Sequence, residues 1–175
     1  MTIDLSRLSA GFPALTEAIG MTFAEAAAVC LRHKNHTSPV QANVITGVTE
    51  FSVELIFPAV TDQMTRSWAD IKEATEAGAV GIAILVICRT EGLTVVERSV
   101  KGTGVDYWLG SEGDSAFQRK ARLEVSGTLD GSDSVIKQRI RQKTEQTKPS
   151  DTTRLPAYVV VVGFSRPTIE VAFLP

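Results

Sequence analysis

The sequence predicts an α/β fold, and three observations carry this prediction. An alanine-rich helical stretch near the N-terminus is followed by a segment that alternates apolar and polar residues, which is typical of a β-hairpin. The run from Tyr158 to Phe164 is continuously apolar and β-branched, as in a buried central strand. From Ser67 onward the predicted order of elements is α-β-β-β-α-β. The fold is therefore expected to contain a sheet with helices packed on it.

The N-terminal third predicts one helix and one hairpin. Residues Leu15 to Arg32 contain few β-branched residues and have good helix propensity. The polar segment His33 to Pro39 contains a proline and predicts a loop. Between Val40 and Phe57 apolar residues recur with a period of two on both sides of a turn at residues 47–50, which predicts a hairpin.

The segment from Ser67 to Thr90 predicts a helix. Asp70 is a suitable N-cap with Glu73 as its capping-box partner, and Gly92 stands where a glycine commonly ends a helix. Small and apolar residues recur at steps of three and four along this segment. The apolar run from Ala79 to Cys88 leaves a buried strand as the alternative interpretation.

The remaining segments predict strands around one polar helix. A proline at position 149 ends that helix, and Pro167 precedes a tail that predicts a strand at the edge of the sheet. The predicted strands are Leu93–Val100, Val105–Leu109, Ala121–Gly127, Tyr158–Phe164 and Ile169–Leu174; the helix is Asp133–Thr147, and Gly110–Gln118 is a loop.

Length and composition predict a single domain over residues 1–175. The chain has 175 residues, of which 43% are hydrophobic and 22% charged, a balance typical of folded proteins. Residues 1–60 are interpreted as an N-terminal extension and residues 67–164 as the core. The longest apolar run is too short to cross a bilayer, no secretory signal precedes it, and two cysteines do not form a disulfide framework. These features predict a cytoplasmic protein with no membrane association.

Charge is distributed unevenly along the chain. The net charge is −2, but the segment from Arg119 to Arg154 contains nine basic and five acidic residues. This local excess is the pattern of a basic face on an acidic protein, which would suit contact with nucleic acid. On charge alone, a solvated helix with scattered basic residues is the favoured interpretation.

Two acidic residues lie in segments that otherwise predict apolar strands. Asp106 is flanked by Val105 and Tyr107, and Glu124 by Leu123 and Val125. A buried carboxylate needs a partner, because an isolated buried charge costs several kcal/mol. If the two strands are neighbours, Asp106 and Glu124 converge and form a hard-oxygen site suited to Mg²⁺ or Mn²⁺. The alternative is that both acids only form ion pairs, with Arg98, Lys101 or Arg122 as the partners.

The order of elements and these acids resemble the PD-(D/E)XK nuclease superfamily. The matching residues are Gly104-Val105-Asp106 and Leu123-Glu124-Val125-Ser126-Gly127, with Glu73 or Glu76 on the preceding helix. The resemblance implies a restriction-endonuclease-like core with a mixed central sheet. It also implies that Asp106 and Glu124 are metal ligands and that Glu76 assists them, since Glu73 is better explained as a capping residue.

The chain departs from the superfamily pattern at Ser126, which stands where the family has a lysine. Serine carries no positive charge, so another cation is expected to replace the lysine, and the following helix offers several. The candidates are Lys137, Gln138, Arg141 and Lys143 on that helix, with Lys120 and Arg122 also nearby in sequence, and the catalytic role is assigned to Lys137. Contacts with backbone phosphates are assigned to Arg122, Arg141 and Lys143.

These residues predict a metal-dependent phosphodiesterase, a DNA nuclease of restriction or defence type, with Mg²⁺ or Mn²⁺ as the cofactor. The alternative is a non-catalytic interaction module on the same fold, which Ser126 and the net charge favour. A third interpretation is an immunity-type or antitoxin-like protein that binds a protein partner. Because many enzymes of this superfamily act as dimers, a homodimer is also expected as one form of the protein.

Overall fold

The computed structural model describes residues 1–111, 113 and 118–175 and has an α/β fold with a mixed eight-stranded sheet. Two short 3₁₀ helices cover Leu5–Ala10 and Lys148–Thr153. The α-helices are α1 (Glu17–His33), α2 (Asp62–Ser67), α3 (Ile71–Glu91) and α4 (Asp133–Thr147). The strands are β1 (Thr2–Asp4), β2 (Val40–Thr46), β3 (Thr49–Ile56), β4 (Leu93–Arg98), β5 (Tyr107–Ser111), β6 (Ala121–Thr128), β7 (Ala157–Gly163) and β8 (Thr168–Leu174).

The strands run in the order β1-β3-β2-β8-β7-β6-β5-β4 across the sheet. Strands β4, β5 and β6 form an antiparallel meander, and β6 continues through α4 into the parallel strand β7. The prediction of a buried central strand at Tyr158–Phe164 is confirmed by β7, which is buried along its whole length. The prediction of an edge strand at Ile169–Leu174 is wrong. Strand β8 lies inside the sheet, antiparallel to β7 and parallel to β2, and so joins the N-terminal hairpin to the rest.

The sheet is strongly curved. Its two edge strands, β1 and β4, line one small cavity together with the end of α3. In a flat sheet, eight strands about 4.8 Å apart would hold these edges roughly 34 Å from each other. The sheet therefore bends around its helices, and the backbone N–H of Ala14 donates to the carbonyl of Val95 on the β4 edge.

Helix α3 occupies the concave side of this sheet, which explains its composition. Its buried residues point in all directions, as expected for a helix packed against the sheet on one side and α1 on the other. The predicted helix is confirmed over the buried-strand alternative, although it begins at Ile71 and a separate short helix, α2, precedes it. The Asp70 carboxylate caps it by accepting from the N–H groups of Lys72 and Glu73, and Gly92 ends it in the left-handed conformation.

Close packing on both sides of α3 depends on glycine. A Cβ atom added at Gly78 would lie 2.7 Å from the backbone of Ala27 on α1, and one added at Gly127 on β6 would lie 2.3 Å from the Thr75 carbonyl oxygen. Gly127 therefore lets β6 approach α3, and the side chains that alternate with it on β6, Glu124 and Ser126, point to the opposite face.

Helix α4 covers that opposite, convex face, where it contacts β6, β7 and β8. It spans the predicted residues, with Ile136 buried against the sheet and most other side chains exposed or partly exposed. Strand β5 begins at Tyr107 and ends at Ser111, so Asp106 precedes the strand instead of lying inside it. The predicted loop at Gly110–Gln118 falls largely on residues 112 and 114–117, which lie outside the described part of the chain.

Candidate functional site

Asp106 and Glu124 lie side by side where β5 begins next to β6. The main-chain N–H of Asp106 donates to the Leu123 carbonyl at 2.8 Å, which fixes the residue against β6. Its Oδ2 accepts from the Val125 N–H at 2.8 Å, so the carboxylate is oriented by the backbone of the same strand that carries Glu124. The two carboxylates converge as predicted, because Asp106 lies close enough for its charge to raise the pKa of the Glu124 carboxyl.

Burial controls the chemistry of Glu124. Its side chain is only 2% exposed, and this desolvation, followed by the neighbouring Asp106 charge, raises the pKa of the Glu124 carboxyl from 4.5 to about 7. Lys143 opposes this change, because its ammonium group favours the ionised carboxylate. The site therefore holds a carboxyl group that gains or loses a proton near neutral pH.

Two cations from α4 reach across to this part of β6. The Lys143 Nζ lies 2.7 Å from the Glu124 Oε1, and Arg139 donates from Nη1 to the Ser126 hydroxyl at 3.0 Å. Among the described residues, the ion-pair partner of Glu124 is thus Lys143 and not Arg98, Lys101 or Arg122. Helix α4, which follows β6, therefore supplies one cation to Glu124 and another to Ser126.

The carboxylate pair is flanked by two adjoining clefts. One, of about 360 Å³, includes Glu76, Ser126 and Lys143 in its lining, and the other, of about 400 Å³, includes Glu124 and Lys101. Asp106 and Arg98 line both clefts. Glu76, the predicted accessory acid, therefore lines the same cleft as Asp106, on the side formed by α3.

The structure places Lys137 and Arg122 differently from what the sequence indicated, whereas Arg141 stays open to solvent as a phosphate contact requires. Lys137 is exposed on α4, and its charge acts on Glu170 of β8 instead of on the carboxylate pair. Arg141 is exposed and makes no hydrogen bond or ion pair within residues 1–111, 113 and 118–175.

Arg122 is buried, so its guanidinium does not present itself to solvent. It donates to Asp151 at 2.7 Å and to the Ser150 hydroxyl at 3.0 Å. Its contacts hold the 3₁₀ helix after α4 against β6. The side chain is engaged within the protein and is not on an open phosphate-binding surface.

The sequence places Lys143 among the candidates for the missing lysine but assigns the catalytic role to Lys137, and it assigns Arg139 no role. A signal for the positions of both Arg139 and Lys143 exists. Ile136 faces the sheet, and on a helix of 3.6 residues per turn the positions three and seven residues later lie on nearly the same face. Those positions are Arg139 and Lys143, whereas Lys137 is turned by about 100° from Ile136. Helix phase therefore distinguishes the cation that reaches the carboxylates from one that does not.

The number of donor groups at this site limits the kind of metal ion that its residues could hold. No group of three or more His, Cys, Asp and Glu side chains with metal-binding geometry occurs within the described residues. Asp106 and Glu124 supply two carboxylates, and Mg²⁺ is commonly held by one or two carboxylates while it keeps several water ligands. The pair thus suits a water-rich Mg²⁺ or Mn²⁺ site and not a site enclosed by protein ligands.

The fold and the site define the class of the protein. It is an α/β protein in which two acids, Asp106 and Glu124, and two cations from α4 lie beside a cleft. Comparisons with known proteins return no matching family model, no similar curated protein and no similar solved structure. In the described residues no helix has the length and apolar character needed to span a membrane.

Proposed function

We propose that this protein is a metal-dependent phosphodiesterase that acts on nucleic acid, and that Asp106 and Glu124 hold the metal. The observation that carries the proposal is the convergence of these two carboxylates with the Lys143 ammonium group beside an open cleft. The order α3-β4-β5-β6-α4-β7, with an antiparallel meander and a parallel crossover, supports the resemblance to the restriction-endonuclease-like core.

Each side chain has a role that follows from its position. Asp106 is held rigidly by the Val125 N–H and offers its second oxygen to a cation. Glu124 can ligate a cation only when it is ionised, and Lys143 favours that state. Bound Mg²⁺ or Mn²⁺ would supply an acidified water and would neutralise charge on a phosphate.

Lys143 is proposed to act in place of the lysine that the superfamily has at the position of Ser126. Its Nζ lies against Glu124 and also lines the cleft that contains Asp106 and Glu76, so it can orient a water molecule or a phosphate oxygen there. Arg98 and Lys101 border the adjoining cleft, and neither forms an ion pair within the described part of the chain. These two cations are suited to the phosphates that flank the reacting one.

A non-catalytic interaction module is the second candidate function, and two observations favour it. Glu124 is almost fully buried and already paired with Lys143, and Ser126 supplies no charge of its own. An ion pair between a buried carboxylate and a lysine can serve the structure alone. In that case the fold would serve to bind a protein partner.

Titration calorimetry of Mn²⁺ into the wild-type protein and the Asp106→Ala, Glu124→Ala double variant distinguishes the two candidates. The first predicts binding that the double variant loses. No binding to either protein would exclude the metal-dependent enzyme and leave the interaction module, to be tested by searching for a partner.

Cleavage of plasmid and single-stranded DNA in Mg²⁺ or Mn²⁺ tests the role of Lys143. Lys143→Ala should reduce cleavage at least tenfold, because it removes the cation that both lines the cleft and pairs with Glu124. Lys137→Ala is the matched control on the same helix and should leave cleavage unchanged, because Lys137 faces Glu170 instead. Equal activity of the two variants would contradict the assignment of Lys143.

A further inference from the structure

A separate cavity lies where the curved sheet brings its two edge strands, β1 and β4, close together. Its volume is about 250 Å³, and its lining combines residues of both edge strands with the C-terminal end of α3. The apolar part of the lining includes Ile3, Phe12, Leu85 and Leu93. It is slightly smaller than the roughly 300–1,000 Å³ typical of small-molecule sites, which limits a ligand to a short body.

Two exposed arginines border this cavity, and neither is paired with another side chain among the described residues. Arg7 lies in the first 3₁₀ helix and Arg89 in the last turn of α3, and both line the cavity. Neither makes a side-chain hydrogen bond or an ion pair within the described residues. Asp4 is the acid among the lining residues, and one of its oxygens already accepts from the Ser6 N–H. The charge around the cavity is therefore positive.

A buried hydroxyl adds an independent observation. Thr94 lines the same cavity and is only 3% exposed, yet its Oγ1 has no hydrogen-bond partner in the described part of the protein. Leaving a buried polar group unpaired costs about 1–3 kcal/mol, so such groups are rare and call for a specific reason. The Oγ1 exposes less than 1 Å², so a ligand hydrogen-bonds to Thr94 only if it displaces the atoms that cover this oxygen.

We propose that this cavity binds a small organic anion with a short apolar body and a carboxylate or phosphate head. The apolar lining would cover the body, and Arg7 and Arg89 would bind the head, because guanidinium groups form paired hydrogen bonds with planar carboxylates and with phosphates. The cavity is separate from the carboxylate pair. Arg89 lies thirteen residues after Glu76 on α3, a distance of about 20 Å along the helix.

The two arginines make the inference testable with simple compounds. Heptanoate and hexyl phosphate carry the same six-carbon body with the two head groups, and hexylamine carries it with the opposite charge. We expect at least one of the two anions to raise the melting temperature in a concentration-dependent way, and hexylamine to have no such effect. The anion that gives the larger shift identifies the head group. No shift with either anion, or an equal shift with hexylamine, would overturn the proposal.

Variants locate the binding within the protein. The Arg7→Gln, Arg89→Gln double variant should lower the affinity for the effective anion at least tenfold in calorimetry. Arg66→Gln, at an exposed position on α2 away from the cavity, should leave it unchanged. Thr94→Val keeps the shape of the side chain and should weaken binding severalfold while the free protein stays folded by circular dichroism. Unchanged affinity in the double variant would show that the anion binds elsewhere and would refute the assignment.

Discussion

The stability of this protein should depend on the ionisation of Glu124, and Glu124→Gln tests this dependence. The pKa of Glu124 is raised from 4.5 to about 7, first by burial and then by the Asp106 charge. Between these two pH values the folded protein binds more protons than the unfolded chain. The free energy of unfolding therefore falls as the pH rises through this window, by about 3 kcal/mol in total.

Urea denaturation followed by circular dichroism between pH 4 and pH 8.5 measures this contribution. Glutamine cannot ionise, so the stability of the variant relative to wild type should rise across the window by about 3 kcal/mol. Glu145→Gln, which removes an exposed carboxylate from α4, is the control, because it measures the change in stability on losing one acidic group that is not buried. A difference that stays constant with pH, or that changes in the opposite direction, would show that the Lys143 pair outweighs burial and would refute the reasoning.

Three further predictions concern the metal, a buried cation and a close helix contact. Affinity for Mn²⁺ in calorimetry should rise steeply as the pH passes through about 7, because the Glu124 carboxyl, whose pKa is raised, must lose its proton to bind a cation; a flat profile between pH 6 and 8 would contradict this. Asp151→Asn should lower the unfolding free energy by about 1–3 kcal/mol, because buried Arg122 loses its charged partner; an unchanged urea midpoint would contradict it. Gly78→Ala should destabilise the protein by about 1–3 kcal/mol, because the added methyl group would lie 2.7 Å from the Ala27 backbone; a gain in stability would contradict it.

The local elements could be predicted from the sequence because their determinants are local. The cap at Asp70, the stop at Gly92 and the alternating pattern of the hairpin act within a few residues, and the structure confirms the helices and strands that they predict. The start of α3 was predicted less well. Helix α2 was not predicted, and the expected start at Ser67 lies four residues before α3, because Ser67 and Asp70 are both suitable N-caps.

The arrangement of the strands could not be read in the same way, because it depends on contacts between distant segments. The tail after Pro167 has the composition of an edge strand, yet β8 is covered on both sides, by β2 and by β7. Nothing within residues 168–174 specifies that the N-terminal hairpin will occupy the second side. The insertion of β8 is a property of the whole sheet.

The candidate site was predictable in its acids and only partly in its cations. Asp106 and Glu124 stand out because carboxylates are rare among apolar strand residues, and this rarity is visible in one sequence. The identity of the cation depends on the angular position of α4 relative to β6. Lys137 and Lys143 look equivalent in composition, and only helix phase distinguishes them.

The interior position of β8 has a consequence for the order in which the protein can acquire its structure. Strand β2 pairs with β8 through contacts such as Val44 with Ile169, so residues from early and late in the chain must meet. Until β8 emerges from the ribosome, β2 and β7 each expose an unpaired edge, which favours association with other chains. The completed sheet should therefore form slowly and only once β8 has been synthesised, and a chaperone that shields the hairpin should raise the yield of folded protein more than one that acts on the helices.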